Sequence, residues 1–214
     1  MTGPPERPLL FPRSMLAIVV VCLLIEFVLA ASDLGLLGNA GLRNRAFALW
    51  AFRPNLFSAV QPAYPGQGLV MFLSYSFLHA GFAHLAVNTM SLFALTAALS
   101  GRAGGRYVLG VYLLSALGGS VAYALLQSAG IPMVGASGAL FGLAGALVGW
   151  EFADGRRRKL GPGPALRLAG LLVLLNVILW HVSDGALAWQ AHLGGAIVGL
   201  AIGLIRPPKP EGDA

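Results

Sequence analysis

The apolar residues of this 214-residue chain come in runs close to the ~20 residues a helix needs to cross a bilayer. Such runs occupy more than half of the chain. A segment inside a membrane must satisfy its backbone N–H and C=O groups within itself, and a helix does so. The expected fold class is therefore an all-α polytopic membrane protein, built as one bundle. Composition agrees: 57% of residues are hydrophobic and 10% are charged, against about 25% charged in a soluble domain. A mean hydropathy of +0.77 excludes a water-soluble globular enzyme.

Six crossings are expected. The first is Ser14–Ala31, preceded by Pro4, Pro5, Arg7, Pro8, Pro12 and Arg13. It carries Glu26 and has no small-residue cleavage site at a plausible distance, so it reads as a retained span and not a signal peptide. The apolar stretch Leu69–Leu99 is too long for one crossing. His79-Ala80-Gly81 places the start of its crossing near Gly81, with Leu69–Leu78 at the interface. Tyr107–Leu126, Met133–Phe152, Ala165–Val182 and Leu187–Ile205 complete the set. The domain plan is an N-terminal tail over 1–13, a membrane domain over 14–205, and a C-terminal tail over 206–214.

With six crossings, one set of loops holds Arg7, Arg13, Arg102, Arg106, Arg156, Arg157, Arg158, Lys159, Arg167, Arg206 and Lys209, which is 11 of the 14 basic residues. The other holds only Arg43, Arg45 and Arg53. By the positive-inside rule the first side, with both termini, is cytoplasmic. The net charge of +6 then needs no nucleic-acid partner, and Gly155–Lys159 reads as a topology anchor. The loop over 32–68 faces outward. Its Phe47, Trp50, Phe52, Phe57 and Tyr64, mixed with Arg43, Arg45 and Arg53, suit the headgroup level, rings down and guanidinium groups up. Cys22 is the only cysteine, which excludes an intramolecular disulfide and a cysteine metal site; no metal or other cofactor is expected.

Polar groups inside a span are costly and normally face the bundle interior. In the orientation above, His84 and Asn88 lie in the outer half of the second crossing, one helical turn apart on one face. Ser137 lies about 6 Å below the outer end of the fourth crossing and His192 about 8 Å into the sixth, at 1.5 Å per residue. Four polar side chains from three distant segments arrive at one depth. Singly, each has a packing role open to it; together they point to a site.

Ser137 sits in Gly135-Ala136-Ser137-Gly138, where small neighbours admit a substrate backbone and the helix start leaves amides unpaired. Gly138, Gly142, Gly145 and Gly149 on one helix, and Gly195, Gly199 and Gly203 on the other, give small-residue surfaces for the close packing a Ser137–His192 hydrogen bond requires. In that arrangement His192 acts as general base and Ser137 as nucleophile toward a carbonyl. The Ser137 amide, the Asn88 side-chain amide and the His84 ring N–H are the available oxyanion donors. No acid is placed to orient His192: Asp184 is in a loop, and Glu26 and Asp33 belong to the first span and its exit. A Ser–His dyad oriented by packing is expected, with Phe141 one turn from Ser137 supporting the imidazole.

At these residues the chain resembles the rhomboid family of intramembrane serine proteases. The resemblance rests on His79-x4-His84-x3-Asn88, Gly135-x-Ser137-Gly138 and Ala191-His192-x2-Gly195-x3-Gly199, and covers roughly Ser74 to Gly203. It implies a six-helix rhomboid-like bundle, with Ser137 as nucleophile, His192 as base, and His84 and Asn88 in the oxyanion hole. It further implies a water-filled cavity open to the outside and cleavage of transmembrane protein substrates near the outer face of the membrane. A bacterial inner-membrane location is expected. The chain departs from the family pattern at Val70-Met71, where a Trp-Arg pair is often found, at Gly105-Arg106 in place of Glu-Arg, and at Phe141, where a Tyr is often seen. Two other functions remain open: a catalytically silent rhomboid-like protein that binds membrane clients, and a small proton-coupled transporter. The transporter expects polar groups along a full path, whereas those here gather in the outer half. His181 and Glu26 have no assigned role beyond an interfacial position and an interior hydrogen bond.

Overall fold

A computed structural model describes residues 11–38, 41–57, 61–127 and 131–206. Pro4, Pro5, Arg7 and Pro8 of the N-terminal tail, and Pro207 and Lys209 of the C-terminal tail, lie outside the described residues. Seven α-helices are described: α1 (Arg13–Asp33), α2 (Leu42–Trp50), α3 (Gln67–Ser74), α4 (Phe82–Leu126), α5 (Ser137–Arg157), α6 (Gly163–Val182) and α7 (Trp189–Ile205). No strand occurs among the described residues, only an isolated antiparallel bridge between Phe52 and Met133. By length and apolarity α1, α4 and α6 can each cross a membrane.

The long helix α1 is apolar on its outside as well as its inside. Along α1 the buried residues Met15, Ile18, Val19, Cys22, Glu26, Leu29 and Ser32 form one stripe. Leu24 and Phe27 on the other face are 61% and 58% exposed. An apolar surface of that extent suits lipid and not water. The protein is an integral membrane protein with a polytopic helical bundle.

At 45 residues, α4 would be about 68 Å long if straight, twice the hydrocarbon thickness. It is not straight: Gly104, at φ 76° and ψ 166°, breaks it. His84 from its first half and Gly119 from its second half both lie in the Gly135–Gly138 neighbourhood, His84 beside Gly135 and Gly119 beside the Tyr75 hydroxyl that also borders Gly138. A straight helix would hold residues 84 and 119 about 50 Å apart, so the chain doubles back at Gly104. Divided there, α4 supplies two of the six expected crossings, and the helix runs on through the segment expected as a loop. Arg102 beside the reversal donates to Asp154 at 2.7 Å, its guanidinium lies 5.3 Å over the Trp150 ring, and Trp150 Nε1 donates to the Tyr107 hydroxyl at 3.1 Å. Arg157 also pairs with Asp154, at 3.1 Å, so part of the basic run is tied into the bundle.

The tightest interface is α5 against α7, which run parallel in register. A Cβ on Gly195, Gly199 or Gly203 would collide with the carbonyl oxygens of Gly138, Gly142 and Ala146 respectively. Around this pair pack α4 and, beyond it, α1. Helix α6 is peripheral: Ala165 is its one buried residue, and it packs chiefly on α5.

The loop after α1 departs from the expected arrangement. Phe52 is fully buried, in a cluster with Met71, Tyr75, Tyr123, Met133 and Ala191, with its backbone paired to Met133, so its ring meets protein and not lipid. Residues 71–78 pack into the bundle, while Leu69 and Val70 stay exposed: Met71 and Tyr75 are buried, and the Tyr75 hydroxyl donates to the Ala116 carbonyl at 2.8 Å. Arg43, expected to point toward headgroups, turns inward. Its Nη2 donates to Glu26 Oε1 at 2.8 Å, its Nη1 to Glu26 Oε2 at 3.1 Å and its Nε to Asp33 Oδ2 at 2.6 Å. This gives Glu26, only 1% exposed, a cationic partner, as a buried charge requires. Arg43→Met is expected to lower stability by about 3 kcal/mol. The double variant Arg43→Met/Glu26→Gln is expected to recover part of that loss, measured as thermal midpoints in detergent. A double variant no better than Arg43→Met would contradict the pairing.

Candidate active site

The site is assembled around the turn that precedes α5. Met133 exchanges backbone hydrogen bonds with Phe52, at 2.9 and 3.0 Å, and the Gly135 N–H donates to the Tyr75 carbonyl at 3.0 Å. The chain is thereby held extended, and α5 begins at Ser137, four residues later than the Met133 start expected from apolarity. The turn needs Gly135 itself: its φ is +116°, and a Cβ there would lie 2.7 Å from His84 Cε1. Ser137 is thus the first residue of a helix, where backbone N–H groups have no intrahelical acceptor.

His192 occupies the first turn of α7 and is 2% exposed. Its Nε2 lies 2.8 Å from Ser137 Oγ. The register that allows this is set just below by Gly195 on the Gly138 carbonyl and Gly199 on the Gly142 carbonyl. Phe141, one turn below Ser137, stacks on the imidazole with centroids 4.1 Å apart and planes 8° apart. Gly138 itself is bordered by the Tyr75 hydroxyl and the Ala191 carbonyl, 3.2 and 3.3 Å from where a Cβ would sit.

His84 and Asn88 approach from the first turns of α4. The Ala80 N–H lies 3.4 Å from His84 Nδ1, which accepts it. A neutral ring accepting at Nδ1 carries its proton on Nε2, and Nε2 lies with Cε1 on the ring edge that faces Gly135. Asn88 Nδ2 donates to the His84 carbonyl at 3.0 Å and is 3.8 Å from the Gly135 Cβ position. Two N–H-bearing side chains therefore border the turn that leads into Ser137. His79 stands behind them, its ring edge-on to His84 at 5.2 Å and its carbonyl accepting from Arg43 Nη1 at 2.9 Å. His181 lies in the last turn of α6 against Trp180, centroids 4.9 Å apart, away from this group.

One contact was missed by the sequence reading. His192 Nδ1 lies 2.7 Å from Asn176 Oδ1 of α6. The orienting group is an amide on α6 and not one of the acids, none of which is placed to reach His192 among the described residues. The available signal was Asn176 itself, an amide set in the apolar stretch Leu171–Trp180, where an unpartnered polar group is costly.

Among the described residues no group of His, Cys, Asp and Glu is arranged to hold a metal ion. The family model of the Rhomboid domain matches residues 66–209, two-thirds of the chain. The chain belongs to the rhomboid family. It is 32% identical to RHOMBOID-like protein 5 of Arabidopsis thaliana over 65% of this chain and 44% of that one. With Rhomboid protease GluP of Bacillus subtilis it shares 33% identity over 57% of this chain and 23% of the other. With Putative rhomboid protease YdcA of the same organism it shares 31% over 63% and 65%. The matches thus span less than half the length of the plant relative and of GluP. The matched rhomboid region includes α3 to α7, hence His79, His84, Asn88, Ser137, Asn176 and His192; α1, α2, the Glu26–Arg43 pair and Phe52 lie ahead of it.

Proposed function

We propose that this rhomboid is an intramembrane serine endopeptidase that cleaves transmembrane protein substrates by a Ser137–His192 dyad. The observation that carries this reading is the 2.8 Å contact between His192 Nε2 and Ser137 Oγ. Hydroxyl and base are thus already within proton-transfer distance.

In the reaction, Ser137 Oγ attacks the scissile carbonyl carbon as its proton passes to His192 Nε2. The tetrahedral intermediate collapses by breaking the C–N bond, and the departing amine takes the proton from Nε2. Water then attacks the acyl-enzyme, giving its proton to Nε2, and Ser137 is regenerated with release of the new carboxyl terminus. Negative charge on the carbonyl oxygen develops beside the Ser137 amide, the His84 Nε2–H and the Asn88 amide, which serve as oxyanion donors. His84→Ala and Asn88→Ala are each expected to lower kcat by about 10²- to 10³-fold. Gel-based cleavage of a reconstituted transmembrane substrate measures this; wild-type kcat in both variants would remove them from the oxyanion site.

The site faces outward from the cytoplasm. Along α5, Ser137 and Arg157 are separated by 20 residues, about 30 Å at 1.5 Å per residue, so the basic run sits one hydrocarbon thickness away, on the cytoplasmic side. Substrate chains must leave the helical state to reach Ser137, so small or helix-weakening residues are expected around the cut. The membrane domain spans 14–205, in a bacterial inner membrane with cytoplasmic termini. The test that needs no substrate is covalent labelling of Ser137 by a fluorophosphonate or isocoumarin probe. Labelling lost in His192→Ala supports the protease, whereas an unlabelled wild-type protein supports the silent client-binding relative.

A further inference from the structure

We propose that Asn176 is the positioning residue of the dyad, its side-chain carbonyl holding the proton of His192 on Nδ1 so that Nε2 stays bare toward Ser137. The proposal rests on the protease reading above, but concerns a residue on a different helix with its own observable.

A neutral imidazole has one N–H and one bare nitrogen, and only the bare nitrogen accepts a proton from a hydroxyl. For His192 to deprotonate Ser137, the bare nitrogen must be Nε2, 2.8 Å from Oγ. The proton then sits on Nδ1, and Nδ1 faces Asn176 Oδ1 at 2.7 Å. Oδ1 is an acceptor only, so it is satisfied by the productive tautomer and left without a donor by the other. With Phe141 parallel to the ring at 4.1 Å, the imidazole is fixed both in plane and in rotation within that plane. The amide is itself explained by the contact: in the apolar run of α6 it would otherwise be an unpaired polar group in hydrocarbon. The bond is also a polar tie for a helix that is otherwise peripheral. Asn176, His192 and Phe141 line a cavity of about 250 Å³ between α6 and the α5–α7 pair.

An amide orients without adding charge. A carboxylate in its place would also stabilise the imidazolium and raise the pH at which His192 becomes neutral. Two consequences separate positioning from mere packing. Asn176→Leu is expected to lower kcat by about 10- to 100-fold with KM little changed, less than the ~10⁴ loss when a charged orienter is neutralised in a serine protease. Asn176→Asp is expected to keep substantial activity and to move the acidic limb of the kcat/KM profile to higher pH by about one unit. Wild-type kcat in Asn176→Leu, or an acidic limb unmoved in Asn176→Asp, would overturn the proposal.

A readout independent of activity keeps this distinct from the protease reading. In protein labelled with ¹⁵N histidine, the His192 ring nitrogens of the full chain in detergent are expected to report a proton on Nδ1. The same pattern is expected in Ser137→Ala, where no chemistry occurs. In Asn176→Leu the two tautomers are expected to mix. A protonated Nε2 in the wild-type protein would sink the positioning role, whatever the outcome of labelling or cleavage.

Discussion

Replacing Ser137 with alanine is expected to lower peptide-bond cleavage by about 10⁴-fold or more and to abolish labelling by serine-directed probes. The size follows from what is removed: without Oγ there is no acyl-enzyme, and only water positioned beside the oxyanion donors remains to attack. The substitution deletes one oxygen at the start of α5, where the backbone is held by the Phe52–Met133 pairing and the Gly135–Tyr75 hydrogen bond. The fold is therefore expected to persist, checked by a thermal midpoint within a few degrees of wild type. His192→Ala should be nearly as damaging, since Oγ then has no base at 2.8 Å. The double variant should be scarcely worse than either single one, because groups that act as a unit are not additive. Cleavage at the wild-type rate by Ser137→Ala would sink the dyad. Losses from the two single variants that multiply in the double would show that Ser137 and His192 act separately.

The parts of the site that were legible in the sequence are those whose chemistry is rare in a membrane span. His192 stands out because an imidazole is scarce among Leu, Val and Ala, and Ser137 because, unlike the hydroxyls of the second and third spans, it lies between Gly135 and Gly138; glycines at three- and four-residue steps below each mark helices that approach closely. Asn176 is as exceptional in its own helix. It is illegible because an amide is not an acid, and because the other polar residues of that span, Arg167 and His181, fall on other faces of the helix and do not mark its own. Glu26 was noticed, but its partner Arg43 is 17 residues away, across a loop, with a guanidinium that composition alone sends to the membrane surface. The faces of the helices were illegible for a physical reason. Val19 is 5% exposed and Val20 44%, yet both are equally apolar, because one side meets protein and the other lipid. In water the outward residue would have been polar and the period would show. The reversal in α4 was located only as a gap between apolar runs, Leu99 to Tyr107. That Gly104 alone accomplishes it, between two abutting helical segments, depends on a positive φ which the many glycines of this chain do not distinguish by composition.

Gly199→Val is expected to destabilise the bundle by about 3 kcal/mol or more and to abolish probe labelling although it touches no reactive group. A Cβ at Gly199 would overlap the carbonyl oxygen of Gly142, with the Gly142 Cα only 2.8 Å away. The obstacle is backbone on a facing helix, so no side-chain rotation relieves it, and the two added methyl groups of valine enlarge the clash. The helices must part or slide, and overpacking of this kind costs on the order of 1–3 kcal/mol even where side chains can yield. His192 lies two turns above Gly199 on the same helix, so displacement of α7 from α5 also lengthens the 2.8 Å contact between His192 Nε2 and Ser137 Oγ. Gly170→Val on α6 is the matching control: it makes the same change in helix propensity, at a position where a Cβ would meet nothing within 4 Å. Thermal unfolding in detergent and probe labelling of the two variants, side by side, separate close packing from propensity. A midpoint depressed for Gly199→Val and unchanged for Gly170→Val is the expected result, and equal behaviour of the two would mean that the glycine register between α5 and α7 does not set the site.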